Sequence, residues 1–218
     1  MSSAKSDLMS QLPQNVRWLF WVAWGGLCLF VLATLAVSVA TQFKGKPLPV
    51  YGTLPDFMLT NQNGRRVTLA DFSGRIWIAD AIFTRCPGQC LVMSQHMKEI
   101  QEALPAGLSI QLVSFTTDAA FDQPAVLKKY AERFGARDNC WSFLTGDKHA
   151  LHGVEVDGLK LSVLDKPAAE RDSSDDLFIH SEKFILLDKV GRIRGYYDGQ
   201  TGSAVTEVIA AAQSLARE

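Results

Sequence analysis

The chain has 218 residues, of which 47% are hydrophobic and 21% charged, with a formal net charge of −1. That length accommodates one globular domain of ordinary size plus an appendage. The near-neutral balance gives no electrostatic reason to expect nucleic acid or an acidic polymer as partner, and four cysteines are too few for a disulfide-scaffolded fold.

Residues 1–17 read as a polar cytoplasmic tail. Residues 18–40 carry no charged side chain. As a helix they would extend roughly 34 Å, enough to cross a hydrocarbon core of about 30 Å. Trp18, Trp21 and Trp24 crowd one end, as aromatic anchors do at a lipid–water interface. A cleaved signal peptide would have an apolar core of only about 7–15 residues, so the reading is an uncleaved transmembrane anchor. Cys28 is then one more apolar residue facing lipid. Lys5 and Arg17 precede the span while Lys44 and Lys46 follow it, so flanking charge barely orients it. A short leader and a long C-terminal domain place the N-terminus in the cytoplasm and the domain outside.

Residues 41–54 carry Gly45, Pro47, Pro49 and Gly52 and read as a tether. The folded domain is expected over 55–218. Phe57-Met58-Leu59 and Arg66-Val67-Thr68-Leu69 flank Asn61-Gln62-Asn63-Gly64, a hairpin turn whose glycine supplies positive φ. Arg75 to Phe83 is a mostly apolar run typical of a strand covered on both faces. A helix over 91–104 places Leu91, Met97, Ile100 and Leu104 on one stripe, and Met93 and Met97 are assigned to the core. A buried strand over 108–115 follows. The next helix, 122–134, starts at Asp122 as N-cap with Pro124 in its first turn. Trp141 to Leu144 reads as a strand, 147–154 as a short helix, and 165–176 as a charged loop. Phe178 to Leu187 and Arg192 to Tyr197 form a hairpin, and a helix over 203–216 ends the series. This order predicts an α/β class, a thioredoxin-like central sheet flanked by helices and preceded by one N-terminal transmembrane helix.

Chemistry concentrates in Cys86-Pro87-Gly88-Gln89-Cys90, set where a strand ends and a helix begins. Helix N-terminal N–H groups and the helix dipole favour thiolate there. A helix starting near Pro87 puts both sulfurs on one side of its first turn. They can then close on each other as a disulfide, or on a soft metal ion such as Cu(I). His96, His149 and His152 read as solvated polar residues, and Asp118 and Asp122 as structural. Cys140 is either a buried thiol or an odd one open to oxidation.

Several segments together resemble the Sco/SenC family of membrane-anchored, thioredoxin-like copper-binding proteins. Asp56-Phe57 with Asn63-Gly64-Arg65 and Val67-Thr68-Leu69 is similar to its opening hairpin, and the C-x-x-x-C follows in place. Asp118 and Asp122 lie near the position of an acidic family motif. Leu144-Thr145-Gly146 and Ile179-His180-Ser181, followed by Phe184 to Leu187, Asp188 and Gly191-Arg192, complete the resemblance. Leu91 and Ala119 stand where the family usually has proline. The resemblance implies a copper site, for Cu(I) or Cu(II), made by Cys86, Cys90 and His180. It implies a metallochaperone for the copper-accepting subunit of cytochrome c oxidase or another copper protein. The implied location is the inner membrane, held through residues 18–40 with the domain on the periplasmic side. The rival class is a thiol–disulfide oxidoreductase using Cys86 and Cys90 as attacking and resolving thiols.

Overall fold

The computed structural model describes residues 14–42, 47–86, 88–104, 109–167 and 178–218. Two compact units divide the chain, Met1–Lys46 and Pro47–Glu218. The first contains helix α1, Gln14–Gln42, 29 residues long. Trp18, Trp21 and Trp24 are each at least 60% exposed. The longest uninterrupted stretch of described side chains in α1, 21–35, spans 15 residues, about 22 Å. Among the described residues, no helix is long and apolar enough to cross a membrane. The backbone of the expected span over 18–40 is helical throughout, and its side chains are described only in part.

The second unit is built on an eight-stranded sheet of order β1-β10-β9-β4-β5-β6-β2-β3. Its strands are β1 Gly52–Thr53, β2 Met58–Asn61, β3 Arg66–Thr68, β4 Ile76–Ile82, β5 Ile110–Thr116, β6 Trp141–Thr145, β9 Lys183–Leu187 and β10 Arg192–Asp198. β4, β5 and β6 run parallel, and the remaining pairs are antiparallel. Every residue of β4 and β5 is buried, as expected of mostly apolar strands covered on both faces. Helices α2 (Gln89–Ala103), α3 (Pro124–Arg133) and α5 (Ala204–Ala216) pack one core. Phe57, Phe72, Trp77 and the residues around Leu151 to Leu161 form the other.

The hairpin β2–β3 forms with Gly64 at φ 76°, a backbone conformation that glycine adopts without steric cost. Helices and strands otherwise fall close to their sequence positions, with three differences. Asp122 is not a cap: α3 begins at Pro124 with Gln123 as N-cap. The stretch over 178–187 breaks into β8, Phe178–His180, and β9. β8 leaves the main sheet to pair antiparallel with β7, Val163–Asp165, with His180 opposite Val163. Between β6 and β7, α4 (Lys148–His152) runs straight into a π-helical turn, Gly153–Gly158. Most of the 165–176 loop lies outside the described residues.

Residues 47–54, read from sequence as tether, lie along the domain. Tyr51 N–H donates to the Ile193 carbonyl at 2.9 Å and Leu54 N–H to that of Gly191 at 2.9 Å. The buried Arg194 guanidinium reaches the Leu48 carbonyl through Nη2 at 2.7 Å and the Pro49 carbonyl through Nε at 3.2 Å. It also pairs with Asp188 at 3.2 Å and with Glu218. Leu48 N–H in turn donates to Glu218 Oε1 at 2.8 Å.

Candidate metal centre

The site grows from the C-terminal end of β4. Hydrogen bonding to neighbouring strands stops at Ile82, and the chain turns through Phe83 to Cys86, whose N–H donates to the Phe83 carbonyl at 3.2 Å. α2 starts at Gln89, two residues later than the spacing argument assumed. Cys86 therefore precedes the helix, and its sulfur sits over the first turn. Cys90 N–H donates to Cys86 Sγ at 3.4 Å. One of the N-terminal amides that an α-helix leaves unsatisfied is thus aimed at sulfur. Cys86 and Cys90 are thiols, both buried.

Burial, with the adjacent Cys86 thiol next in weight, pushes the Cys90 thiol far above its ordinary value, and the charge of Asp80 adds to the shift. Asp80 is wholly buried on β4 and also opposes ionisation of Tyr130. A sulfur so placed loses its proton readily only when a cation or a second sulfur takes the proton's place.

Two aspartates hold the approach to Cys86. Asp122 is fully buried and accepts from Thr84 N–H at 3.0 Å, from Thr84 Oγ1, and from Thr116 Oγ1 at 2.5 Å. Burial pushes its carboxyl up, against the lowering effect of those hydrogen bonds. Asp118 receives the Arg85 guanidinium at 2.6 Å, and the same guanidinium lies 4.2 Å from the centre of the Phe121 ring. Both residues next before Cys86 are thereby clamped to the segment following β5. Reading Asp118 and Asp122 as structural missed this link to the site. The signal in the sequence was Asp80, Asp118 and Asp122 standing in or beside apolar strands, where a carboxylate needs partners.

Met93 and Met97 are wholly buried in the core, as expected. His96 is half-buried rather than solvated, with Nδ1 2.8 Å from the Gly199 carbonyl. His149 and His152 are exposed. Cys140 is buried, and burial raises its thiol against the lowering effect of Arg137. The backbone of His180 is fixed by β8, and its imidazole lies outside the described residues. Cys86 and Cys90 are brought together; the third expected ligand is placed only by its strand.

The SCO1/SenC family model matches residues 47–217. The chain belongs to the SCO1/SenC family. It is 31% identical over 169 residues to the SCO1 protein homolog of Bacillus subtilis, covering 76% of this chain and 84% of that one. Among solved structures, it resembles BsSco, a member of the Sco family of cytochrome c oxidase assembly proteins described with a disulfide switch. That match has a TM-score of 0.67 and 28% identity over 78% of this chain and 98% of the other. Copper-bound yeast Sco1 matches at TM-score 0.61 and 25% identity, over 75% of this chain and 90% of that one. A SCO1/SenC domain thus begins at Pro47, the residue at which the second compact unit starts.

Proposed function

We propose that this chain is a membrane-tethered copper metallochaperone that carries copper on Cys86, Cys90 and His180. On this reading it assists assembly of the copper centre of cytochrome c oxidase. The observation that carries the proposal is the placement of two thiols within one turn at the head of α2, with a helix N–H aimed at Cys86 Sγ. Two thiolates are a soft donor pair matched to Cu(I), and the imidazole of His180, carried on β8, would add a donor that also tolerates Cu(II). Three donors without a strong fourth leave the cargo transferable, whereas a closed tetrahedral set holds a metal for structure. Copper in yeast Sco1 and the assembly role of the Sco family named for BsSco support the cargo and the acceptor class.

The anchor is residues 18–40. The apolar side chains of α1 that are described between Trp18 and Leu35 are exposed, which in water would leave a large unburied surface. A lipid environment accounts for it. Alkaline carbonate extraction should leave the chain in the membrane pellet; release into the supernatant would remove the anchor from the reading.

The decisive experiment titrates the reduced protein with Cu(I) against a competing chelator, alongside Cys86→Ala and His180→Ala. One tightly held copper, abolished by Cys86→Ala and weakened by His180→Ala, is expected. Binding no stronger than that of a generic dithiol would favour the second reading, a thiol–disulfide oxidoreductase. In that chemistry the Cys86 thiolate attacks an acceptor disulfide and Cys90 resolves the mixed disulfide. The acceptor leaves as two thiols and a Cys86–Cys90 bond forms. The proximity of the two sulfurs and the disulfide switch described for BsSco favour keeping this reading.

A further inference from the structure

Ligands of open α/β sheets bind beyond the carboxyl ends of the parallel strands. Here three segments leave that edge together: the cysteine loop after β4, Thr117 to Asp122 after β5, and α4 with its π-turn after β6. The cysteine loop and the clamp use the first two. The third contributes to a cleft of about 210 Å³ lined by Thr117, Leu151, His152, Glu155 and Val163, with Lys148 also on its wall.

Glu155 is the unusual member. It is 2% exposed, and its Oε1 has no hydrogen-bond partner among the described residues. Burial alone pushes its carboxyl well above the ordinary range, with no donor offsetting it. A buried acceptor left unsatisfied costs stability, and native folds retain such groups only rarely. Glu155 also sits on the π-turn, a helical irregularity that is frequent at functional sites. His152, three residues earlier, is exposed and lines the same cleft. The cleft therefore has a carboxyl oxygen at depth and an imidazole near the surface. Val163 on its wall pairs in register with His180.

We propose that His152 and Glu155 form a second metal subsite, separate from the cysteines, that takes a divalent cation of the Cu(II) type. Imidazole nitrogen with carboxylate oxygen suits Cu(II), whereas the thiolate pair suits Cu(I). Among the described residues no group of three or more His, Cys, Asp or Glu could hold a metal ion; with His152 and Glu155 as the two protein donors, water completes the coordination and the ion exchanges readily. Lys148 on the same wall carries an ammonium, which has no lone pair to give a metal ion. This inference does not depend on Cys86 or Cys90, and the two readings fail separately.

The test uses the full chain in detergent carrying Cys86→Ser and Cys90→Ser, titrated with Cu(II) alone and followed by electron paramagnetic resonance. One Cu(II) with nitrogen and oxygen coordination is expected. His152→Ala and the near-isosteric Glu155→Gln should each weaken it at least tenfold. His149→Ala, on the same short helix, should leave it unchanged, and Lys148→Ala should leave it unchanged or tighten it. Affinity indifferent to Glu155→Gln, dependence on His149, no bound Cu(II), or weakening by Lys148→Ala would each overturn the proposal. Loss of Cu(I) binding by the parent chain would instead count against the metallochaperone reading and leave this one standing.

Discussion

Asp122→Ala is the perturbation that best tests whether the cysteine loop is held from β5. The carboxyl is wholly buried and accepts from three donors, Thr84 N–H, Thr84 Oγ1 and Thr116 Oγ1. Removing it leaves the Thr84 amide without its acceptor, at a cost of about 1–3 kcal/mol. The two threonine hydroxyls can rotate toward other acceptors, so each loses about 0.5–1.5 kcal/mol. Relief of burying a carboxyl returns part of the sum, for the same burial raises its pKa. The expected net loss is about 3 kcal/mol, a fall in melting temperature of roughly 6–12 °C for a domain of this size. Urea unfolding of parent, Asp122→Ala, Thr84→Val and the double variant gives the cost and the coupling. Thr84→Val removes the hydroxyl and keeps the amide, so a coupling of about 1 kcal/mol is expected. A cost of Asp122→Ala below about 1 kcal/mol, or additivity within about 0.5 kcal/mol, would refute the clamp.

Three further outcomes follow from the same structure. Arg85→Ala should cost about 1–2 kcal/mol, since it loses a part-buried ion pair to Asp118 and the Phe121 ring contact; no shift in urea midpoint would mean that neither contact persists in solution. Burial raises the Asp188 carboxyl, but hydrogen bonds from Arg192, Val190 and Arg194 more than offset it and hold it low. Its contribution is then present above the ordinary carboxylate value of about 3.9 and is lost as pH falls through the lowered folded value; Asp188→Asn should flatten the acid limb of the stability–pH curve, and an unchanged limb would contradict this. Glu155 has the opposite sign, because its raised folded value means stability is lost as pH rises above about 4.3. Glu155→Gln should therefore melt higher than the parent at pH 8 and alike at pH 4; a lower melting point at pH 8 would indicate an ionised, well-partnered carboxylate.

Much of the fold could be read from local pattern. Mostly apolar runs marked β4 and β5, an Asn-Gly turn marked the β2–β3 hairpin, and the cysteine pair marked the strand-to-helix junction. The failures involve partners distant in sequence. Asp122 followed two residues later by proline satisfies the local rule for a helix start, yet its carboxyl is used by Thr84, 38 residues earlier. Nothing within a window of ten residues distinguishes those uses. Likewise 178–187 has the composition of one strand. It divides at Ser181 and Glu182 because Ser181 N–H donates to the Ser162 carbonyl and the Glu182 carbonyl accepts from Gly199 N–H. Residues 47–54 read as tether because prolines and glycines mark linkers, while the arginine that holds Leu48 lies 146 residues away. The π-turn carrying Glu155 has no sequence signature at all. Its one clue was an acidic residue between two valines.

The Arg194 cluster also determines where this domain can be cut and rejoined. Leu48, at the start of the domain, and Glu218 bond directly to each other and share one guanidinium. Its two ends therefore meet at one point on the surface. Folds with juxtaposed ends tolerate circular permutation at exposed turns. A short linker from Glu218 to Pro47, with new ends opened at the Asn63-Gly64 turn, should give a permuted domain. The cysteine loop would keep its clamp, since neither Asp118 nor Asp122 lies near the break in sequence. Such a permutant would separate the domain from α1 without altering a single residue of the cysteine loop.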